Sequence, residues 1–425
     1  MIAICPPFEN RSLIDTIGLG GLASGDLVVT ERPAFANDNP SRVEILEWDG
    51  AQRQVAAWRD LVAHCLEPNP FLEPAFALSH ARQSAVSHRP VFMFVRDAVH
   101  NGRLIGVCAL THVHRKFSRI ARGWMPKLAA LGTPLLDAEK AGEALDIVFG
   151  WFARQSPATA GVLFPALPAA GPTAVLIRAR AQSLRLEIRD FDAHQRAALP
   201  SAACGGRPPE SMISTKKMKE LRRQRRQLEE RGAVTWVSAT KTGDVRVAFE
   251  KFLALESNGW KGKAGTALVS DPAVATFGRS MTRLLADDCL CRIDALELDG
   301  RPVAMGITII SGRSAALWKI AYDEAYAAQS PGVQFILEYT RRQIEDASVD
   351  ATDSCAIPDH PMINHIWADR LAIVDLFVAV APQSVVAFRV AADRESRRRG
   401  LRAFAKRAVT AARRHVGRAL ARKAA

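Results

Sequence analysis

The sequence predicts an α+β protein of two lobes, each a mixed, mainly antiparallel sheet with flanking helices, followed by a basic C-terminal helix. Three observations carry this. Runs of period-two apolar residues are separated by hairpin-type turns such as Asp299-Gly300 and Ser311-Gly312-Arg313. Runs of helical spacing alternate with them. The order of strands and helices in the first half is similar to that in the second.

Taken in order, residues 1–40 are rich in Gly, Pro and Asn and end in ANDNPS, so a flexible leader is expected. A first lobe is expected over 41–195. It opens with a strand at VEILEWD (43–49), and a helix follows with Val55, Trp58, Leu61, Val62 and Cys65 at helical spacing. PVFMFVRD and LIGVCALTHVHR read as strands around Asn101-Gly102. ALDIVFGWFARQ reads as a helix, GVLFPAL as a strand, TAVLIRARAQ as a helix and SLRLEIRDFD as a strand. Residues 196–213 read as a linker. The second lobe is expected over 214–390. It begins with a basic helix from Ser214 that stops at Gly232. A strand, a helix (245–256), three consecutive strands (CRIDALELD, RPVAMGITIIS, RSAALWKIAYDE), a helix at VQFILEYTRRQIEDA and strands at VDATDSCA and LAIVDLFVAVA complete it. Residues 391–425 form the basic tail.

The stretch Gln329-Ser-Pro-Gly-Val333 lies between the third of those strands and the helix after it. A helix N-terminus has unpaired N–H groups and a partial positive charge, and small residues leave its backbone bare for a phosphate. The same residues also suit a plain helix start, with Ser330 as cap and Pro331 in the first turn. Trp260-Lys-Gly-Lys-Ala-Gly-Thr-Ala-Leu268, Trp318-Lys-Ile-Ala-Tyr-Asp323, Ser330-Pro-Gly332, Asp353 and Trp367, together with KKMKELRRQRRQLEERG, resemble the GNAT acyltransferase superfamily. The likeness is to its CelD/BcsL-type group, named for cellulose biosynthesis. PNPFLEP (68–74) and LGTPLLD (131–137) extend the resemblance into the first lobe, so that it covers roughly 45–380. Both lobes are then expected to be GNAT-like, in the twin-lobe arrangement of FemAB-like proteins, which transfer aminoacyl groups from tRNA.

The resemblance implies acetyl-CoA or another acyl-CoA as co-substrate, with its pyrophosphate on Gln329, Ser330, Pro331, Gly332 and Val333. The family pattern ends in Gly-x-Gly/Ala, and this chain has Gln334 at the last place. Acyl transfer needs a base and donors for the carbonyl oxygen. Asp323 ends the strand before the loop, Asp353 sits within the next expected strand, and Lys319 is a charge in an otherwise apolar strand. Tyr322 could protonate a leaving thiolate. Against these roles stand a turn cap, a strand-end acceptor, an exposed strand face and a packed aromatic. Trp260, Lys261 and Thr266 sit in a glycine-rich segment that could face the acceptor or simply be a solvated loop.

His112 and His114 alternate on a strand without a third ligand, so no metal is expected. Cys355 lacks a nearby histidine for a thiol mechanism, since His360 and His365 fall on the following loop and helix. The seven cysteines are scattered, and Cys289 and Cys291 do not have zinc spacing. With no secretory leader and no run of 18 apolar residues, a cytoplasmic location is expected.

The net charge of +13 is concentrated. Residues 394–425 hold twelve Lys/Arg and one acid, residues 214–231 contribute +5, and the rest sums to −3. In the tail Leu401, Phe404, Ala405, Ala408, Val409, Ala412, Val416 and Leu420 recur at helical spacing among cations. That pattern suits peripheral contact with an anionic membrane face, an acidic partner such as a polysaccharide synthase, or a nucleic acid. A single aromatic argues against stacking on tRNA. The expected reaction is acyl transfer to a hydroxyl or amine of a saccharide or polysaccharide precursor. The alternatives are aminoacyl transfer from charged tRNA and a non-catalytic role in polysaccharide synthesis.

Overall fold

The computed structural model describes residues 42–85, 89–98, 102–111, 119–155 and 159–423. Side-chain surroundings are described as far as Ala408, apart from Lys406. The expected leader, Asn101, His112 and His114 lie outside the described residues. The described residues fall into two units, one within Asn39–Arg196 and Leu371–Ala425, the other within Ala197–Arg370.

The first unit opens with β1 (Val43–Leu46), α1 (Trp48–Gln52), α2 (Val55–Ala63) and α3 (Pro74–Gln83). Next come β2 (Pro90–Arg96), β3 (Leu104–Thr111), β4 (Ile120–Arg122), β5 (Leu135–Leu136) and α4 (Ala141–Ala153). β6 (Gly161–Pro168), α5 (Pro172–Ser183) and β7 (Ile188–Pro200) follow. Strands β1-β2-β3-β5 form an antiparallel sheet, and β4 pairs parallel to β6. Two cores result. One gathers α4, β6 and the inner faces of β2 and β3; the other packs Trp58 against Phe92 and Phe94 at ring distances of 5.2 and 5.6 Å.

β7 runs through residues expected to open a linker. Its far end alternates Ala197 and Leu199 inward, so strand periodicity continues to Pro200. Two short elements then lead into α7: a turn of 3₁₀ helix and α6 (Pro209–Met212).

The second unit contains α7 (Thr215–Glu229), β8 (Val234–Ala239), α8 (Thr242–Asn258), α9 (Trp260–Lys263) and α10 (Pro272–Asp287). β9 (Cys291–Leu298), β10 (Arg301–Ser311), β11 (Ser314–Tyr322), α11 (Pro331–Glu345) and β12 (Ala351–Asp353) complete it. Strands β8 to β11 are antiparallel in chain order, and β12 joins β11 in parallel. The last residues of β7, from Ala197, belong to this unit, and they pair with β12, Asp353 facing Ala198. The β9–β10 turn has Asp299 at φ 50° and Gly300 at φ 76°, the two positive values a type I′ hairpin demands. Gly306 lets α11 lie close on the sheet, since a Cβ there would meet the Phe335 ring at 2.6 Å. Phe335, Ile336, Tyr339 and Trp367 fill the core beneath.

α10 was not expected from the sequence. Asp271 caps it by accepting the N–H of Ala273 at 2.9 Å, and Phe277, Met281 and Leu285 give it an apolar face. The chain ends in β13 (Asp369–Ala379) and α12 (Val385–Lys423). Expectation had placed 371–390 in the second lobe. Instead β13 pairs antiparallel with β6, and Leu376, Phe377 and Phe388 pack in the first unit's core. A strand's partner depends on chain distant in sequence, which no local pattern encodes.

Candidate active site

The second unit presents a half-open strand. β12 pairs with β11 only at Ser314, Ala315 and Ala316, and it ends at Asp353. β11 continues to Tyr322, so Leu317–Tyr322 extend past their parallel neighbour. On the other side, β10 pairs Thr308 with Leu317 and Ile307 with Lys319, which leaves Trp318 as a bulged extra residue. The bulge re-aims the strand where it loses its neighbour.

From β11 the chain enters a 3₁₀ helix, Glu324–Gln329, and then α11. Asp323 caps the 3₁₀ helix by accepting the N–H of Ala325 at 2.9 Å, so this carboxylate is engaged in a turn. Ser330 adopts left-handed backbone, φ 50° and ψ 54°, and its side chain caps nothing, contrary to the simple helix-start reading. Its carbonyl accepts from Val333 at 2.9 Å and Gln334 at 3.0 Å. Pro331 has no N–H, and the amide of Gly332 has no backbone partner among the described residues. Gln329 is 6 % exposed, and its Oε1 is buried without a hydrogen-bond partner. A Cβ on Gly332 would lie 3.0 Å from the Tyr322 ring, so the glycine brings strand end and helix start together. Strain at Ser330, a bare first turn and an orphaned buried amide oxygen coincide here.

Lys319 lies on the overhanging part of β11, half-buried, with its ammonium 5.6 Å from the Trp318 ring. Burial pushes its pKa down, and the neighbouring Lys261 adds to that; Glu256 and Cys355 pull the other way. Among the described residues Lys319 makes no side-chain hydrogen bond or ion pair. Asp353 is 8 % exposed, and its Oδ1 accepts the N–H of Cys355 at 2.9 Å. Cys355 has φ 52°.

The glycine-rich segment folds as the short helix α9 rather than an open loop. Trp260 is 54 % exposed. Its backbone N–H donates to Glu324 at 2.7 Å, and Lys263 donates to the same carboxylate at 2.7 Å. Lys261 turns inward: its Nζ donates to Glu256 at 2.7 Å and to the Ile320 carbonyl at 3.1 Å. Thr266 is exposed, and its hydroxyl donates to the Lys261 carbonyl at 3.2 Å. The structure thus brings Tyr322 against Gly332, next to Gln329, whereas the neighbours of Lys319 are Lys261, Glu256 and Cys355. It commits Lys261 and Asp323 to holding that region together.

Sequence reasoning missed Glu256 and Arg292. Glu256 is 4 % exposed and also accepts the N–H of Leu268 at 2.7 Å. Arg292 on β9 donates to Asp294 at 2.9 Å and Gln343 at 2.5 Å, tying the end of α11 to the sheet. A charge inside an apolar run marks each in the sequence. His360 accepts the N–H of Met362 at 3.3 Å, which makes it a local cap. Burial pushes the thiols of Cys65, Cys108 and Cys291 up to about 12. Among the described residues no group of three His, Cys, Asp or Glu is placed to hold a metal ion. No helix among them is long and apolar enough to cross a membrane.

The second unit is thus a mixed sheet whose overhanging strand feeds a strained helix start. Residues 215–356 match the family model described as an acetyltransferase (GNAT) domain, so this segment carries such a domain. No curated protein matches the chain. Among solved structures, FemX is similar with TM-score 0.50 and 9 % identity, over 78 % of this chain and 97 % of that one. A conserved protein from Bacteroides thetaiotaomicron has TM-score 0.49 and 8 % identity, over 76 % and 97 %. A tandem GNAT protein from the clavulanic acid biosynthesis pathway has TM-score 0.38 and 15 % identity, over 80 % and 99 %. At such identities the likeness concerns fold alone.

Proposed function

We propose that the second unit transfers an acyl group, acetyl in the simplest case, from acyl-CoA to an amine or hydroxyl. The acceptor class we favour is a saccharide or polysaccharide precursor, on the CelD/BcsL-type resemblance. The observation that carries the reading is the unpaired Gly332 amide beside left-handed Ser330 at the start of α11. The fit to a pyrophosphate rests on the Gly332 amide at a helix N-terminus, where no side chain at 332 obstructs approach.

When bound, the thioester supplies an activated acyl carbon. The chain's own residues do the rest. The overhanging edge of β11 beyond Ala316 offers backbone donors for a carbonyl oxygen. Lys319, shifted toward its neutral form, takes the proton that an attacking amine or hydroxyl must lose. Tyr322, whose ring lies against Gly332, returns a proton to the leaving thiolate. Asp353 marks the other wall and orders the turn to Cys355. Trp260 offers an exposed aromatic face to the acceptor. The C-terminal helix serves as a peripheral contact for anionic lipid or a synthase.

Isothermal calorimetry with acetyl-CoA tests the reading. Saturable binding, weakened in Gln329→Leu, is expected; folded protein that binds nothing at millimolar acetyl-CoA sinks it. Aminoacyl transfer from charged tRNA is the second reading, favoured by the cations of α7. Salt-dependent tRNA binding in place of acetyl-CoA binding would select it.

A further inference from the structure

α7 is more than a solvated basic helix. Ser214 accepts the N–H of Lys217 at 3.4 Å to start it, and Met218, Leu221 and Leu228 bury its apolar stripe. It is pinned to α11 by Gln334, whose Nε2 donates to the Leu221 carbonyl at 2.8 Å. Between the two helices this contact leaves a groove of about 380 Å³. Its floor is Met218, Leu221 and Leu337, and its walls carry Arg222, Arg225, Arg226 and Arg341 against Glu338 alone.

Two of these cations are spoken for. Arg341 pairs with Glu210 and Glu338, and Arg225 with Glu229 at 2.7 Å. Arg222 and Arg226 are exposed, one helical turn apart on the groove face, and make no hydrogen bond or ion pair among the described residues. Arg222 feels the Glu210 carboxylate, but both guanidiniums keep their hydrogen-bond donors unpaired, and together they focus positive potential on a concavity with an apolar floor. Their planar forks match phosphate oxygens in pairs. The volume lies at the lower end of the range for small-molecule pockets, roughly 300–1,000 Å³, too small for a duplex.

We propose that this groove binds an organic diphosphate. The ligand's diphosphate lies between Arg222 and Arg226, and its organic body covers Met218, Leu221 and Leu337. The groove meets α11 along Gln334–Arg341, whereas the Gln329–Val333 loop sits at the helix start, so this is a second anion site. It does not depend on the acyl-transfer reading.

The test uses the full chain, UDP and inorganic pyrophosphate as probes, and the double variant R222A/R226A. Because neither arginine makes a hydrogen bond or ion pair among the described residues and both are exposed, the variant is expected to melt within about 2 °C of the parent. UDP is expected to bind saturably and more tightly than pyrophosphate, and the variant to lose at least about tenfold in affinity for both. Acetyl-CoA binding is expected to be the same in parent and variant, with UDP still bound at saturating acetyl-CoA. The proposal is overturned if neither probe binds at millimolar concentration or if the variant binds them unchanged. It also falls if acetyl-CoA displaces UDP competitively, or if only tRNA binds and the variant abolishes that. Loss of acetyl-CoA binding alone would count against the acyl-transfer reading and leave this one standing.

Discussion

Lys261 donates to the buried carboxylate of Glu256 at 2.7 Å and, with the same nitrogen, to the carbonyl of Ile320 at 3.1 Å. One ammonium therefore holds α9 and the end of α8 to the overhanging half of β11. Removing it strands the Glu256 charge, which is 4 % exposed. Breaking a fully buried pair costs about 3–5 kcal/mol; the Lys261 side chain is partly exposed, so Lys261→Ala is expected to cost about 2–3 kcal/mol. Urea unfolding measures this. Pairing it with Glu256→Gln in a double-mutant cycle should recover much of the loss, because the stranded charge is gone and Leu268 keeps its acceptor.

Gly332 is the tightest point of the cradle. Gly332→Ala puts a methyl 3.0 Å from the Tyr322 ring, and either the ring or the helix start must give by a few tenths of an ångström. Such overpacking costs about 1–3 kcal/mol, and here it falls on the turn proposed to hold the pyrophosphate. Acetyl-CoA affinity is expected to drop roughly tenfold by calorimetry. Gly332→Ala combined with Tyr322→Leu should restore most of the binding if the ring contact is the cause.

Lys319 sets a pH dependence whose sign follows from its depressed pKa. Between the folded and unfolded pKa values the unfolded chain binds the proton and the folded chain does not, so stability rises with pH there. Chemical denaturation of the parent on the alkaline side, up to the ordinary lysine pKa, should show that rise, and Lys319→Met should be flatter and more stable at neutral pH. Transfer activity should climb with pH as Lys319 loses its proton. Lys319→Met should remove that limb and lower the rate about 10²–10⁴-fold. An unchanged pH–rate profile in the variant would exclude Lys319 as the base.

The sequence discloses this site unevenly, for physical reasons. β9, β10 and β11 are legible because hairpin turns are local: Asp299-Gly300 announces its positive φ values directly. The Gln329–Val333 stretch is legible as a bare helix start, but the orphaned Gln329 oxygen and the Tyr322–Gly332 contact exist only once strand and helix meet. Lys261 reads as a free cation because Glu256 lies five residues back across the end of α8, a spacing no helix face brings together. α10 carried its own signal in Asp271-Pro272, an N-cap followed by proline in the first turn. The length of β12, three residues against nine for β11, cannot be read locally, yet it leaves the strand edge open.

Glu395 anchors the root of the C-terminal helix. It is 2 % exposed and accepts from Arg122 at 3.1 Å, Arg398 at 2.6 Å and Arg399 at 2.8 Å. Burial alone would raise its pKa, but hydrogen bonds from Arg398, Arg122 and Arg399 outweigh it and hold the carboxyl well below the usual range. Its stabilisation is complete above the unfolded carboxylate pKa and is lost as pH falls toward the folded one. Glu395→Gln should cost about 2 kcal/mol at pH 7 and flatten the loss of stability between about pH 5 and pH 2. Equilibrium unfolding at both ends of that range checks it.

Beyond this anchor the helix changes character. Leu401 and Phe404 are 71 % and 72 % exposed, three residues apart on one face among arginines. Burying two such side chains in a lipid interface is worth about 1.5–3 kcal/mol each, and the cations add attraction to anionic headgroups. The protein should therefore co-sediment with vesicles of phosphatidylglycerol and phosphatidylcholine, and less so as salt rises. Leu401→Glu with Phe404→Glu should reduce vesicle binding more than tenfold and leave acetyl-CoA affinity intact. Equal sedimentation of parent and variant would show that charge alone drives adsorption. No sedimentation of the parent would turn the helix toward a protein partner.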